Sequence, residues 1–218
     1  MTDSALERLL GRARGPMGPA VELDFGVDHG PLVELGRIIT RMNGFFLFNG
    51  GVQVFRVGEE GLGPDMLSWN TGEVWKDTYG GLADDLFCFG QDLFGAQFAI
   101  VGDEEVVRFD PETADVEPIG TSLEDWATWL QSDPDVNGVN SFSYAFQKEN
   151  GALKPEERLI PFQFFVGGGS YDFDNLSVKD GAVAMQIRGP IAQKIHDAPD
   201  GATIHLSTAL PPTPNPLG

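Results

Sequence analysis

A single cysteine stands in the 218 residues of this chain, so no internal disulfide can staple the fold. Cys88 sits in the apolar run Leu86-Phe87-Cys88-Phe89, which reads as a buried, unreactive thiol. Histidine is scarce too. The spacing of His29, His196 and His205 fits no zinc motif. Cations are few, with 14 basic residues against 33 acidic ones and a net charge of −19. Such a field repels phosphate backbones and anionic lipid, which argues against nucleic acid and membrane as partners. No apolar run approaches membrane-spanning length, and Met1-Thr2-Asp3-Ser4 is no signal-peptide start, so a cytoplasmic protein is expected. There is no G-x-S-x-G elbow. Gly167-Gly168-Gly169-Ser170 is followed by no Lys-Ser/Thr pair, which makes it a loop between strands and not a phosphate cradle. No catalytic residue, metal ligand or cofactor is therefore expected.

Sixteen phenylalanines, four tryptophans and 41% hydrophobic residues are enough for a folded core. With 28 glycines and 15 prolines the chain should turn often. Its centre is Phe89 to Ile100. Gln97–Val101 and Val106–Phe109 are apolar and β-prone, joined by the polar Gly102-Asp103-Glu104-Glu105, as in a hairpin. Asp92-Leu93-Phe94-Gly95 predicts a tight turn in which Gly95 takes positive φ and Asp92 bonds its own backbone. Asp110-Pro111-Glu112-Thr113 turns the chain again, and a helix follows from Thr121, where Thr121 and Glu124 have capping-box spacing. Leu123, Trp126, Ala127 and Leu130 make its apolar face. Phe94, Phe98, Phe109 and Trp126 are expected in one shared core.

The flanks read similarly. An N-terminal helix over 4–14 and a second from Pro31 to Met42 precede a hairpin, Phe45–Phe48 with Val52–Val57 about Asn49-Gly50-Gly51. Gly36 inside the second helix predicts a close contact with the sheet. Asn70 is a candidate cap for a helix over 72–79, with Trp75 and Tyr79 stacked at i, i+4. Trp69 and Trp75 read as core and not as a ligand platform. Phe142–Asn150 should be a helix with Phe142, Ala145 and Phe146 inward. The stretches 174–178 and 182–185 are followed by a brief helical segment at Ile191–Ile195, introduced by Pro190. A turn at Pro199-Asp200-Gly201, a last strand at Thr203–Ser207 and a proline-rich tail over 209–218 complete the chain. The expectation is one α+β domain over 1–208, an antiparallel sheet of short strands covered by helices.

In order, FGQDLFGAQFAI, VVRFDPET and SLEDWATWL resemble the core signature of the SMI1/KNR4 (SUKH) superfamily. Arg158-Leu159-Ile160-Pro161, Phe165-Val166-Gly167-Gly168-Gly169 and Asn175-Leu176-Ser177-Val178 are similar to segments of its bacterial branch. Gly44-Phe45 and Val54-Phe55 match a further pattern, while the glycine-rich link at 49–51 departs from it. The resemblance spans the second helix to near the tail. It implies an α+β domain with no common enzymatic activity, many of whose bacterial members neutralise toxins used in competition between cells.

The functional expectation follows from charge and resemblance together. It is a non-enzymatic immunity protein that binds a basic toxin domain. Asp84, Asp85, Asp103, Glu104, Glu105, Asp110 and Glu112, with Asp115 and Glu117, fall in loops around the central hairpin. They read either as a solvated face or as the docking site for that partner. The alternative from the fungal side of the superfamily is a regulatory adaptor in a cell-envelope or signalling assembly. A hydrolase built on scattered carboxylates has no nucleophile–base pair to support it.

Overall fold

The computed structural model describes residues 4–198. Six strands form one antiparallel meander in sequence order: β1 (Phe45–Leu47), β2 (Val52–Val54), β3 (Leu86–Asp92), β4 (Gln97–Val101), β5 (Glu105–Phe109) and β6 (Val116–Gly120). A separate two-stranded sheet pairs β7 (Glu157–Pro161) with β8 (Leu176–Asp180). Helices α1 (Ala5–Leu10), α2 (Pro31–Arg41), α3 (Met66–Trp69), α4 (Leu123–Ser132), α5 (Asn140–Asn150) and α6 (Gly181–His196) complete the architecture. The fold is α+β. The expected strand at 203–207, the turn at 199–201 and the tail lie outside the described residues.

The central hairpin is where its alternation placed it. Gln97 pairs with Phe109 and Phe98 with Arg108, so these two pairs face opposite sides of the sheet. On one side Phe98 and Phe89 meet the edge of Trp126 on α4, with ring centroids 5.7 and 5.4 Å apart. On the other side Phe109 packs against Tyr79 and Trp75 at 5.3 and 6.1 Å. Phe94 belongs to neither layer. It joins a second apolar cluster with Phe142 of α5 and Phe165, around Leu93, Phe146, Leu159 and Leu176. Phe98, Phe109 and Trp126 thus share the main core, Phe98 and Phe109 on opposite faces of the sheet, while Phe94, in the β3–β4 turn, packs in the second cluster instead.

Several local expectations shift. The α4 cap is Ser122, whose Oγ accepts from Asp125 N at 3.1 Å. Glu124 instead crosses to α1 and accepts from Ala5 N and Leu6 N, capping the other helix. Gly36 meets the carbonyl of Leu23 and not the sheet: a Cβ there would lie 2.8 Å from that oxygen. Residues 72–79 form two short 3-10 turns interrupted at Trp75, whose φ of −162° is extended. The Trp75–Tyr79 contact survives edge-on, and Asn70 grips the Cys88 backbone through both amide atoms. Ala145 points outward while Ser143 is buried. Strand β6 was hidden by Pro118, which an edge strand tolerates. The segments at 182–185 and 191–195 are one helix, α6, running through Gly189 and Pro190. Gly189 is required there because a Cβ would collide with Thr78 at 2.4 Å.

A polar seam joins the two sheets. Gln53, Gln91 and Gln97 are direct cross-strand partners on β2, β3 and β4, and all three are buried. Gln97 Oε1 accepts from Trp69 Nε1 at 2.8 Å, and its Nε2 donates to the Gly95 carbonyl at 2.7 Å. Arg158 of β7, itself buried, donates to Gln53 Oε1, and with the Gln91 amide turned oxygen-first it donates there too, at 3.2 Å.

Because Trp126 is 1% exposed and braces two strands through Phe89 and Phe98, Trp126→Ala should cost ~3–5 kcal/mol. Urea unfolding would read this as a lower midpoint. An unchanged midpoint would mean that α4 does not pack on this sheet in solution.

Candidate functional site

The register divides the seven acidic candidates between opposite ends of the sheet. Leu86 pairs with Val101, so Asp84 and Asp85 lead into β3 beside the β4–β5 turn that carries Asp103, Glu104 and Glu105. All five are exposed. Among the described residues none of them has an ion-pair partner within 4 Å. Asp103 holds the turn at φ +62°, and its carbonyl abuts Gly30 at the start of α2. The half-buried rings of Phe25 and Phe87 meet edge to face at 5.4 Å on the same side of the molecule, Phe87 being two residues from Asp85.

Asp110 and Glu112 lie at the other end. The four steps of β5 separate them from this acidic tip by about 14 Å. Neither is a free surface charge. Asp110 Oδ1 accepts from Glu112 N at 2.7 Å and Thr113 N at 3.3 Å, folding the β5–β6 turn upon itself. Glu112 is 4% exposed, which removes it from any solvated face. Its Oε2 accepts from Val166 N at 3.0 Å, and its Oε1 stands 3.9 Å from Arg188 Nε. The reason is distant in sequence: α6 brings a fully buried guanidinium to this turn, and burial of one charge requires the other.

This lower end contains a built site. Asp92 Oδ1 accepts from Phe94 N and Ala96 N, both at 2.9 Å, closing the β3–β4 turn as its sequence foretold. Asp92 Oδ2 faces Arg108 Nη2 at 3.5 Å. Gly95 has φ +84°, and a Cβ there would approach Arg188 Nη1 to 3.3 Å. Arg188 Nη2 donates to the Leu159 carbonyl at 3.3 Å, while its Nε and Nη1 have no hydrogen-bond partner among the described residues. Glu112 Oε1 also has none. Arg108, Asp110, Glu112 and Arg188 lie around a cavity of about 200 Å³ with Phe94, Phe165 and Tyr171, although the unpartnered atoms of Arg188 and Glu112 are themselves closed off from it. Phe165 and Tyr171 stack at 4.0 Å, and Phe94 stands edge-on to both at 5.4 Å.

Burial raises the carboxyls of Asp92 and Glu112 above their ordinary range, with Arg108 and two turn amides opposing it for Asp92, and the Val166 amide and Arg188 for Glu112. Burial lowers the Arg188 guanidinium, against the pull of Glu112. The Tyr171 phenol is raised by burial as well. Arg188 and Tyr171 were not picked out by sequence reasoning. Arg188 had one signal, a cation within an apolar helical run of a chain poor in cations. Among the described residues no three His, Cys, Asp or Glu side chains are grouped to hold a metal ion. No described helix is long and apolar enough to cross a membrane.

Glu112 generates a pH dependence. A carboxyl whose folded pKa is raised contributes stability that is full below its unfolded value and is lost as pH rises through the folded one. Glu112→Gln keeps an acceptor for Val166 N and removes this titration. Relative to the parent, the variant should therefore gain stability as pH rises from about 4 to about 7, read from urea midpoints at each pH. A difference that is flat, or that runs the other way, would show that the carboxylate is solvated in the folded protein.

No protein-family model matches the chain, and no curated protein matches it. Among solved structures it is similar to the crystal structure of Atu4351 from Agrobacterium tumefaciens, at 13% sequence identity, over 87% of this chain and 81% of that one, with a TM-score of 0.47.

Proposed function

We propose that this protein acts by binding a basic protein partner through its acidic tip, as an immunity protein that neutralises a toxin stoichiometrically. The observation that supports this reading is the gathering of Asp84, Asp85, Asp103, Glu104 and Glu105, all exposed, at one end of the sheet in a chain of net charge −19. The toxin and the SMI1/KNR4 affiliation come from the sequence resemblance. Tight hairpin turns on a stiff sheet hold the carboxylates without a large ordering cost on association. Their summed field steers a basic surface inward, and lasting affinity then needs apolar anchors at the centre of the contact. The Phe25–Phe87 pair beside the tip is suited to that part.

A partner obtained by pull-down, or encoded next to this chain, allows the test. Asp85→Lys, Glu104→Lys and Glu105→Lys together should slow association by about tenfold or more at low salt. Asp103 is left in place because its positive φ would strain lysine. Association by the parent should also slow as salt rises, since screening shortens the field to about 8 Å at physiological ionic strength. Dissociation should change less. A partner that binds at one rate across salt and ignores the triple reversal would move the docking face elsewhere.

A further inference from the structure

Where the border of β1 meets α5 and β7, a small pocket collects cations in a chain that has few of them. We propose that this pocket is a binding site for one small monovalent anion, of which chloride is the simplest. It shares no lining residue with the cavity at the base of the sheet, and no residue of the acidic tip lines it.

The first observation is the charge of the lining. Arg14, Lys154 and Arg158 line the pocket, and no carboxylate does. The whole chain has 14 basic residues against 33 acidic ones, so three cations without a lining acid run against its composition. Glu157 stands alongside, its Oε1 3.3 Å from Lys154 Nζ, and matches one of the three charges. Two are left over.

The second observation is that Arg158 holds one of them. It is 2% exposed, and its hydrogen bonds go to neutral oxygens: Gln53 Oε1, the Glu157 carbonyl and the turned Gln91 amide. Among the described residues no carboxylate lies within 4 Å of it. Asp92, whose field reaches it, is spent on two turn amides and Arg108. A buried charge is ordinarily matched by an opposite one. The bonds of Arg158 are already made, so it acts on the anion through its field, in a setting of low dielectric, and not by contact.

Contact falls to the rim. Arg14 is exposed, and its guanidinium has no hydrogen-bond or ion-pair partner among the described residues. Gly50, at φ +88°, leaves room beside it: a Cβ there would stand 3.7 Å from Arg14 Nη2 and 3.5 Å from Gln147 Nε2. Lys154, with a side chain 70% exposed, has further N–H groups to turn toward the same opening. Phe46 and Leu153 complete the wall with apolar surface. The volume of about 40 Å³ compares with the roughly 30 Å³ that one water occupies in the liquid. That limits the guest to one chloride or one carboxylate group.

Binding can be read on the full chain from the line width of the chloride NMR signal, which broadens as the ion exchanges onto a slowly tumbling protein. Potassium formate is the competitor. The parent should broaden the signal saturably at millimolar chloride, and formate should reverse the effect. Arg14→Gln with Lys154→Gln should raise the chloride Kd by about tenfold or more. Both side chains are exposed, so the variant should keep the parent's urea transition; should it not fold, either single substitution decides, with a smaller loss. Arg37→Gln, an exposed cation on α2 that lines other grooves, should leave binding unchanged. A parent that shows no saturable broadening overturns the proposal. Broadening that formate leaves intact, or that survives in the double variant, places the chloride outside this pocket. An equal loss in Arg37→Gln reduces the effect to general counterion attraction.

Discussion

Buried charge is the constraint on which the rest of this structure depends. Arg158 and Arg188 are both buried, each brought by the C-terminal part of the chain to the face or end of the central sheet. A guanidinium away from water must recover its hydration from fixed oxygens. For Arg188 the recovery is a carboxylate at the β5–β6 turn and a carbonyl of β7. For Arg158 it is mainly amide oxygens, from Gln53 and Gln91, and burial lowers its pKa only to about 10, so it stays charged at neutral pH. Three glutamines in register across β2, β3 and β4 would be an odd choice for a core. They make sense as the solvating lattice for one cation and the indole N–H of Trp69. The position of β7 on the sheet is fixed by that lattice as much as by apolar packing.

The same constraint explains which parts of the fold and site were legible in the sequence. Where physics is local, residues declared themselves. Asp92 bonding its own turn, positive φ at Gly95, the β4–β5 alternation and the apolar face of α4 each depend on neighbours within a few positions. The exposed acids at the hairpin tip belong here too. Where the deciding partner lies far along the chain, the reading failed. Glu112 looked like a surface acid because nothing nearby in sequence announces Arg188. Glu124 has capping-box spacing within its own helix, yet it is spent on α1, whose first amides are just as orphaned. Gly189 and Pro190 looked like a break, but tertiary packing against Thr78 outweighs poor local propensity and keeps α6 whole.

The two ends of the sheet consequently differ in kind. At the tip, the carboxylates are exposed, and among the described residues they have no ion-pair partner. At the base, carboxylates are buried against guanidiniums and their fields are largely cancelled within the site. Strands β4 and β5 connect the two ends directly, but their hydrogen-bonded ladder is stiff and gives each end a fixed frame. The net charge of the whole chain describes the tip well and the base poorly.

The outer strands of the meander carry one further consequence. At one border, Arg14 exchanges both backbone hydrogen bonds with Phe46, so an N-terminal segment already occupies the open side of β1. At the other, β6 presents Pro118, which has no amide hydrogen to donate, next to the exposed Glu117. Unprotected borders of this sort template the addition of foreign strands and the growth of fibrils, and both devices are ways of blunting them. For an acidic sheet protein, the borders of the six-stranded meander are thus poor templates for pairing with further copies.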